Sequence, residues 1–301
     1  MIQTNYHNPV LLKESVDGLA IREDGIYVDV TFGGGGHSRE ILNRLGKEGK
    51  LFAFDQDKDA QVNAIDDNRF KLINENFRFM KQYLKFYGVT KVDGILGDLG
   101  VSSHQFDVAE RGFSTRFEGD LDMRMDQKNA LSAYHVINDY EEKHLKTIFY
   151  TYGELKNANA LAGAIIKKRG AAPIKTSTEL REAINHLLPK HREYKVLAQV
   201  YQAIRIEVNQ EITALKTFLE QTPEVLKKGG RLAIISYHSL EDRLVKRFIR
   251  DGMFEGTPEK DLYGNVEVPF KKIGKLITPS EIEIQENNRA RSAKLRIAER
   301  L

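Results

Sequence analysis

The sequence contains no cysteine and no tryptophan among its 301 residues. The missing cysteine excludes disulfide bonds, thiolate nucleophiles, Cys-ligated zinc and iron–sulfur clusters. A reducing, cytoplasmic compartment fits this composition. The missing tryptophan leaves any stacking on a flat base or ring to tyrosine, phenylalanine or histidine.

Long apolar runs are also missing. No run approaches the roughly 20 residues that a membrane-spanning helix needs, and residues 1–10 lack the basic and apolar regions of a signal peptide. We therefore expect no membrane association. Lys and Arg number 46 against 43 Asp and Glu, a net charge of +3, which permits a polyanionic partner without requiring one.

Strand-like and helix-like segments alternate through the first hundred residues. The predicted strands cover 26–32, 51–55, 70–73 and 92–98, with helical patterns between them, including one that uses Ala60 and Ile65. This rhythm is typical of a parallel sheet with helical crossovers. It resumes near the end of the chain, where a short helix is predicted to start at Pro223 and strands are predicted at 231–236 and 293–298.

Between these α/β parts, residues 105 to about 210 show helical patterns and no convincing strand. One long helical pattern continues from Val200 to Leu219. The simplest interpretation is an α/β, Rossmann-like, doubly wound domain built from residues 1–106 and 213–301. An all-helical insertion at 107–212, the expected substrate-recognition domain, interrupts it.

The strongest motif runs from Asp29 to His37 (DVTFGGGGH) and is followed by Asp55. Glycines after a first strand let a ligand approach the backbone closely, and an acid about 20 residues further on can accept both hydroxyls of a ribose. The motif therefore predicts a nucleoside cofactor at the carboxyl ends of the strands.

The kind of cofactor follows from what this motif lacks. The Gly-x-Gly-x-x-Gly pattern of dinucleotide folds and the Walker lysine are both missing. An acid in the first strand, Asp29, together with clustered glycines suits the amino-acid tail of S-adenosylmethionine. Phe77, just past the third strand, lies either against the adenine or in the ordinary core.

Asp98 ends the fourth strand and opens a polar run that continues to Gln105. The exocyclic amine of cytosine or adenine is a poor nucleophile because its lone pair is delocalised into the ring. A carboxylate that accepts the amine N–H favours the reactive geometry as positive charge develops. Asp98 is placed for this role or for the cofactor, and the sequence does not separate the two.

A second polar run, Ser236 to Arg243, follows the fifth strand at the same end of the sheet. It contains His238, which is either a second catalytic residue or a structural histidine. Basic residues also cluster on predicted elements near this end, and together they predict a phosphate track for RNA. They are Arg243, Lys246, Arg247 and Arg250; Arg289, Arg291, Lys294, Arg296 and Arg300; and Lys167, Lys168 and Arg169.

These blocks resemble the RsmH/MraW family of bacterial 16S ribosomal RNA cytosine-N4 methyltransferases over nearly the whole chain. The matching strings are His7–Leu12, Thr31–Ser38, Asp98–Gln105, Arg111–Ser114, Leu121–Asp126, Gln202–Asn209, Gly229–Arg243 and Asn288–Arg296. The resemblance implies a class I S-adenosylmethionine-dependent methyltransferase fold. It also implies methylation of N4 of a decoding-centre cytidine, conventional position 1402, in 16S rRNA.

The family's site residues carry over position by position. Cofactor contacts fall on Gly35, Gly36, His37, Asp55, Phe77, Asp98 and Gln105. The expected catalytic residues, Asp98 and His238, come from the two polar runs at the strand ends. The implied cofactor is S-adenosyl-L-methionine without a metal. The implied partner is 16S rRNA, and the sequence leaves open whether it is met as naked RNA or within the small ribosomal subunit; a homodimer is expected.

The sequence departs from the family pattern mostly inside the insertion, which concerns RNA or partner contacts rather than the cofactor. The departures are Val30, Thr115, Leu155, Tyr194, Lys195 and Gln199. Two other functions remain open: a Rossmann-type oxidoreductase, against which the missing dinucleotide pattern argues, and a non-catalytic RNA-binding ribosome factor.

Overall fold

A computed structural model describes residues 9–259, 263 and 266–301. His7, at the start of one matched string, lies outside these residues. The chain divides into two compact units, one of Met1–Gly100 with Ile212–Leu301 and the other of Val101–Glu211. The sequence placed the first division after residue 106, whereas the structure places it at Gly100.

The first unit contains a sheet of seven strands over the described residues. They are β1 (Ile26–Asp29), β2 (Lys50–Phe54), β3 (Phe70–Ile73), β4 (Val92–Asp98), β5 (Leu226–Ser236), β6 (Phe270–Ile277) and β7 (Lys294–Arg300). Their order is β3-β2-β1-β4-β5-β7-β6. The strands from β3 to β5 pair in parallel, and β7 runs antiparallel to both β5 and β6. The carboxyl ends of β1, β2 and β4 therefore meet at one edge.

The helices have the following bounds: α1 (Leu12–Gly18), α2 (Gly36–Arg44), α3 (Met80–Phe86), α4 (Ser103–Asp107), α5 (Ala133–Asp139), α6 (Glu142–Thr151), α7 (Ala158–Arg169), α8 (Ser177–Ile184), α9 (Glu193–Asn209), α10 (Glu211–Val225), α11 (Ser239–Asp251) and α12 (Glu281–Glu286). In the part of the chain that the structure describes, no helix combines the length and apolar character needed to cross a bilayer.

Alternation along β5 shows how the sheet is covered. Side chains of successive strand residues point to opposite faces. Leu232 and Ile234 pack in one buried cluster with side chains of α3, α10 and α11. Ala233 and Ile235 pack in another with side chains of α1 and α2. Helices thus cover both faces, and the predicted doubly wound, Rossmann-like α/β fold is confirmed.

The second unit is built from α4 to α9 around a buried cluster of its own. Its described residues form one isolated β-bridge, between Asp120 and Thr176, so the predicted all-helical character of the insertion is confirmed.

Two helix predictions were wrong in their limits. The pattern from Val200 to Leu219 is not one helix, because Gln210 has a left-handed φ of 51° and separates α9 from α10. Pro223 does not start a helix but lies inside α10. Proline has no N–H for the carbonyl four residues earlier. The Thr222 hydroxyl instead donates to that Leu219 carbonyl at 2.6 Å.

Two smaller elements also differ from the sequence predictions. The helical pattern predicted after β2 is a 3₁₀ helix, Lys58–Asn63. Strand β6 was not predicted, because its residues (FKKIGKLI) do not alternate and most are exposed. It is an edge strand whose register to β7 shifts between Ile273 and Ile277, and lysines at an edge discourage pairing with other chains.

Candidate active site

Three aspartates stand at the carboxyl edge of neighbouring strands. Asp29 ends β1, Asp55 directly follows β2, and Asp98 ends β4, with β1 between the other two strands in the sheet. The structure therefore brings together the acids that the sequence singled out. Their hydrogen bonds differ, and the differences decide what each can do.

The glycine loop connects β1 to α2. Gly35 is the N-cap residue of α2 with a φ of 77°, a conformation that glycine adopts without strain. At Gly36 a Cβ atom would lie 2.1 Å from Cγ of Pro9, so packing alone requires glycine there. The cofactor contacts assigned to both residues stay predictions, and the structure adds a structural reason for Gly36.

Asp55 holds the glycine loop against the end of β2. Its Oδ2 accepts the Gly33 N–H at 2.7 Å and its Oδ1 accepts the Asp57 N–H at 2.9 Å. Burial raises the pKa of the Asp55 carboxyl to about 6, although these two hydrogen bonds act to lower it. A carboxylate has about four acceptor positions, so Asp55 keeps acceptor capacity for the predicted ribose hydroxyls.

Asp29 is fully buried. Its Oδ2 accepts the Ser38 hydroxyl at 2.7 Å, and its Oδ1 accepts the Thr31 N–H at 3.1 Å and the Thr31 hydroxyl at 3.4 Å. Burial raises the pKa of the Asp29 carboxyl against these hydrogen bonds. Asp29 thereby joins the end of β1 to the first turn of α2, which is a structural role rather than contact with a ligand tail.

One of the two carboxylate oxygens of Asp98 accepts a strong hydrogen bond. Its Oδ1 accepts the Tyr237 hydroxyl at 2.8 Å, and its backbone N–H donates to the Thr31 hydroxyl at 2.6 Å. The side chain is 22% exposed. Burial raises the pKa of the Asp98 carboxyl to about 7, the Tyr237 hydrogen bond lowers it, and the nearby Asp29 raises it further.

His37 faces the second oxygen of Asp98. Its Nδ1 lies 3.9 Å from Asp98 Oδ2, beyond hydrogen-bond range, while its Nε2 lies 3.2 Å from the Val10 carbonyl. A carbonyl oxygen can only accept a hydrogen bond, so Nε2 carries the ring proton and Nδ1 is unprotonated. Burial lowers the pKa of His37 to about 4, and the imidazole is therefore neutral at pH 7.

Phe77 and Gln105 have packing and capping roles in the structure. The Phe77 ring packs on Phe218 with centroids 5.4 Å apart, in line with the core alternative. Its loop is tied to the loop of Asp55, because Asn76 Nδ2 donates to Gln56 Oε1 at 2.7 Å. Gln105, in the helical unit, is buried and forms a capping box at the start of α4. Cofactor contact by both residues stays a prediction.

His238 is the N-cap residue of α11. Its Nδ1 accepts the Glu241 N–H at 3.4 Å, its own N–H donates to Glu241 Oε2 at 3.3 Å, and its Nε2 lies 3.1 Å from Glu241 Oε1. These contacts hold His238 at the start of α11, but its Nε2 is buried and forms no hydrogen bond within the described residues. A catalytic role for His238 stays a prediction.

Many cations of the predicted phosphate track have partners within the protein. Arg296 donates to Asp242 at 2.7 Å and Lys294 to the same carboxylate at 3.4 Å. Arg300 donates to the Pro223 and Pro269 carbonyls, Arg250 to Asp251, and Arg169 to the Ile137 and Tyr140 carbonyls. These contacts are structural. Lys167, Lys246 and Arg291 are exposed, and the track stays a prediction.

Comparison with known proteins identifies the family. A family model described as the MraW methylase family matches residues 4–301. The chain belongs to this family.

Individual proteins agree with the family assignment. Proteins named "Ribosomal RNA small subunit methyltransferase H" from Christiangramia forsetii and Flavobacterium johnsoniae are each 68% identical to this chain. The match covers 100% of both chains for the first protein and 98% of both for the second. A solved rRNA methylase from Streptococcus thermophilus aligns with 100% of this chain and 99% of its own, at 16% identity and a TM-score of 0.40.

In this MraW-family chain, sequence reasoning missed Tyr237. It weighed His238, the next residue, because histidine titrates near neutral pH. A signal was present, since Tyr237 directly follows β5 and β5 pairs with β4 up to Asp98. The residue after the end of one strand therefore lies beside the end of its neighbour.

Proposed function

We propose that this chain transfers a methyl group from S-adenosyl-L-methionine to N4 of a decoding-centre cytidine in 16S rRNA. The substrate is the RNA within the small ribosomal subunit, and the reaction takes place in the cytoplasm. The names of the relatives support the class of substrate. The observation that carries the chemistry is Asp98, whose Oδ1 is bound by Tyr237 while Oδ2 faces a bare histidine nitrogen at 3.9 Å.

The residues at the strand ends fit this cofactor. Burial raises the pKa values of Asp55 and Asp98 to about 6 and about 7, so a ligand with positive charge or hydroxyl donors would stabilise their ionised forms. S-adenosylmethionine carries a sulfonium, an ammonium and ribose hydroxyls. Its carboxylate suits the first turn of α2, because Gly35 has no side chain to cap the N–H groups there.

The protein's part in the chemistry follows from Asp98. When bound, the cofactor supplies an electrophilic methyl group. Asp98 Oδ2 accepts one N–H of the cytosine amine, which orients the nitrogen and stabilises the positive charge that develops on it. A carboxyl with a pKa of about 7 also suits a base that takes the departing N4 proton. No cysteine is present, so the cysteine-dependent route to methylation at C5 is excluded.

We assign recognition of the RNA to the helical unit, Val101–Glu211. A pocket within this unit is lined by Tyr134, His135 and Lys175 among other residues, and all three are at least partly exposed. Rings can stack on unpaired bases and lysine can bind phosphate. Replacing Tyr134 and Lys175 by alanine should weaken RNA binding while leaving cofactor affinity unchanged.

The reaction is tested with small ribosomal subunits that lack the modification. After incubation with S-adenosylmethionine, nucleoside mass spectrometry with a chromatographic standard should identify N4-methylcytidine. Asp98→Ala should give little product, whereas the matched control Asp24→Ala, which changes a side chain that is 69% exposed, should behave as the unaltered chain does.

Other outcomes would overturn the proposal. Finding 5-methylcytidine, or methyl on another base, would contradict the N4 mechanism. Saturable binding of NADH in a fluorescence titration would favour the oxidoreductase, and RNA binding without any methyl transfer would favour a non-catalytic factor. Denatured protein that releases S-adenosylmethionine or S-adenosylhomocysteine would support the cofactor independently of the RNA.

A further inference from the structure

Tyr237 is held firmly at the edge of the site. Its hydroxyl donates to Asp98 Oδ1 at 2.8 Å, and its backbone N–H donates to Glu241 Oε2 at 3.0 Å. Its ring packs against the buried cluster on the α1 and α2 face of the sheet. The ring also lies beside Gly100, where a Cβ atom would sit 3.4 Å from it. The hydroxyl therefore has little freedom to leave Asp98.

We propose that Tyr237 is the positioning residue of the methyl transfer. By occupying Oδ1, its hydroxyl leaves Oδ2 as the oxygen that receives the cytosine amine, and it favours the ionised form of the carboxylate. This inference rests on the proposed function, because it assigns a partner to Asp98 within the same site.

The charges around Asp98 explain why such a donor matters. Asp29 from β1 and Glu241 from α11 both raise the pKa of Asp98, as does burial. His37 from α2 is neutral at pH 7 because burial lowers its pKa to about 4. The hydrogen bond from Tyr237 acts in the opposite direction and lowers the pKa of Asp98. Without it, less of the carboxyl is ionised at neutral pH.

Tyr237 remains a donor under all working conditions. Burial raises the pKa of its phenol well above 10, and the charge of Asp98 raises it further. The hydroxyl therefore keeps its proton while the neighbouring carboxyl titrates. In Tyr237→Phe the ring and its packing remain, and only the hydrogen bond is lost.

The test is the pH dependence of the single-turnover rate at saturating cofactor, from pH 6 to 9.5. Tyr237→Phe should reduce the rate about fivefold at pH 7 and about tenfold at pH 6, because loss of one hydrogen bond to the carboxylate leaves less of it ionised. The loss should shrink as the pH rises, and the midpoint of the acid limb should move up by about one pH unit. RNA affinity should stay unchanged. The matched control is Tyr83→Phe, which removes another tyrosine hydroxyl bound to a carboxylate, Glu75, at 3.0 Å.

A second substitution keeps the hydroxyl in place. 3-Fluorotyrosine at position 237 is a stronger donor, so it should move the midpoint of the acid limb downward. In an Asp98→Asn background, Tyr237→Phe should cause no further pH-dependent loss, because the titrating group is gone. An equal loss at every pH, or an unmoved midpoint in both position 237 variants, would overturn the positioning role.

Failure of the proposed function would look different. If Asp98→Ala methylated RNA normally, or if the product were not N4-methylcytidine, the role of Asp98 itself would be wrong, whatever Tyr237 did. If Asp98→Ala were inactive and Tyr237→Phe had an unaltered pH profile, only the inference about Tyr237 would fail.

Discussion

The ends of β1 and β4 carry the same residue type on neighbouring strands, yet they differ in what their carboxylates contact. Asp29 is fully buried, and its two oxygens accept hydrogen bonds from Ser38 and Thr31. Asp98 is 22% exposed and has one oxygen bound by Tyr237, with the other 3.9 Å from His37. The first carboxylate is part of the scaffold, and the second can still accept a hydrogen bond from a substrate.

One residue connects the two ends. The Thr31 hydroxyl accepts the Asp98 N–H at 2.6 Å and itself lies 3.4 Å from Asp29 Oδ1. The buried carboxylate thus orders the loop on which the other aspartate depends. At this edge of the sheet, the role of an aspartate is set by how many of its acceptor positions the fold already fills. Residue type and position along a strand do not set it.

The largest effect should come from Asp98→Ala. The single-turnover rate at saturating cofactor should fall roughly 10²–10³-fold, as expected when one preorganised polar contact to a developing charge is removed. The free energy of unfolding near pH 8 should not fall, because an ionised carboxylate in a partly buried site is itself unfavourable. A rate loss that disappears as the cofactor concentration is raised would instead assign Asp98 to cofactor binding.

Asp29→Ala should act mainly on the free energy of unfolding, whereas Asp98→Ala acts mainly on the rate. Ser38 and the Thr31 amide would lose their acceptor inside the protein, which should lower the free energy of unfolding by about 2–3 kcal/mol. Urea denaturation measures this loss, and Asp29→Asn, which keeps an acceptor for Thr31, should recover much of it. If Asp29→Ala were as stable as the unaltered chain but catalytically dead, the contrast between the two strand ends would be wrong.

The sequence predicted the fold well where local pattern and tertiary context agree. The strands of the α/β part and the glycine loop follow from hydrophobic periodicity and turn residues. Strand β6 was missed because its pairing with β7, rather than its own pattern, makes it a strand. The break at Gln210 was missed because the apolar period continues on both sides of a single residue with a left-handed φ.

The site was predictable as a set of acids at strand ends, but the sequence did not reveal which acceptor positions remain open. Asp29 and Asp98 look alike in sequence, and only the contacts of Ser38 and Tyr237 distinguish them. The capping contacts of His238 with Glu241 could not be foreseen for the same reason, because they depend on side-chain geometry at the start of α11. Hydrogen-bond partners of this kind are set by the packed structure.

Asp55→Ala should have a smaller effect, and on cofactor affinity rather than on the rate. Loss of the predicted ribose acceptor should weaken S-adenosylmethionine binding by about 1–3 kcal/mol. The variant also releases the Gly33 N–H, which Asp55 accepts at 2.7 Å. Calorimetry measures the affinity, and Asp57→Ala, which changes a neighbouring buried acid, is the control. Unchanged affinity in Asp55→Ala would contradict the ribose assignment.

The last expected effect is the pH dependence of stability caused by Asp98, which partial exposure reduces because water screens the charge. The pKa of this carboxyl is about 7 in the folded chain and about 3.9 when unfolded. The folded chain thus binds the proton more tightly, and ionisation destabilises it between about pH 4 and 7. His37 acts in the opposite direction, since its lowered pKa of about 4 costs stability as the pH falls below about 6.5.

The difference in unfolding free energy between the unaltered chain and Asp98→Asn cancels the His37 contribution. Measured by urea denaturation, it should favour the unaltered chain most near pH 5 and least near pH 8. A difference that stays constant over this range would mean that Asp98 titrates as an ordinary exposed aspartate, and the distinction between the ends of β1 and β4 would then rest on hydrogen bonds alone.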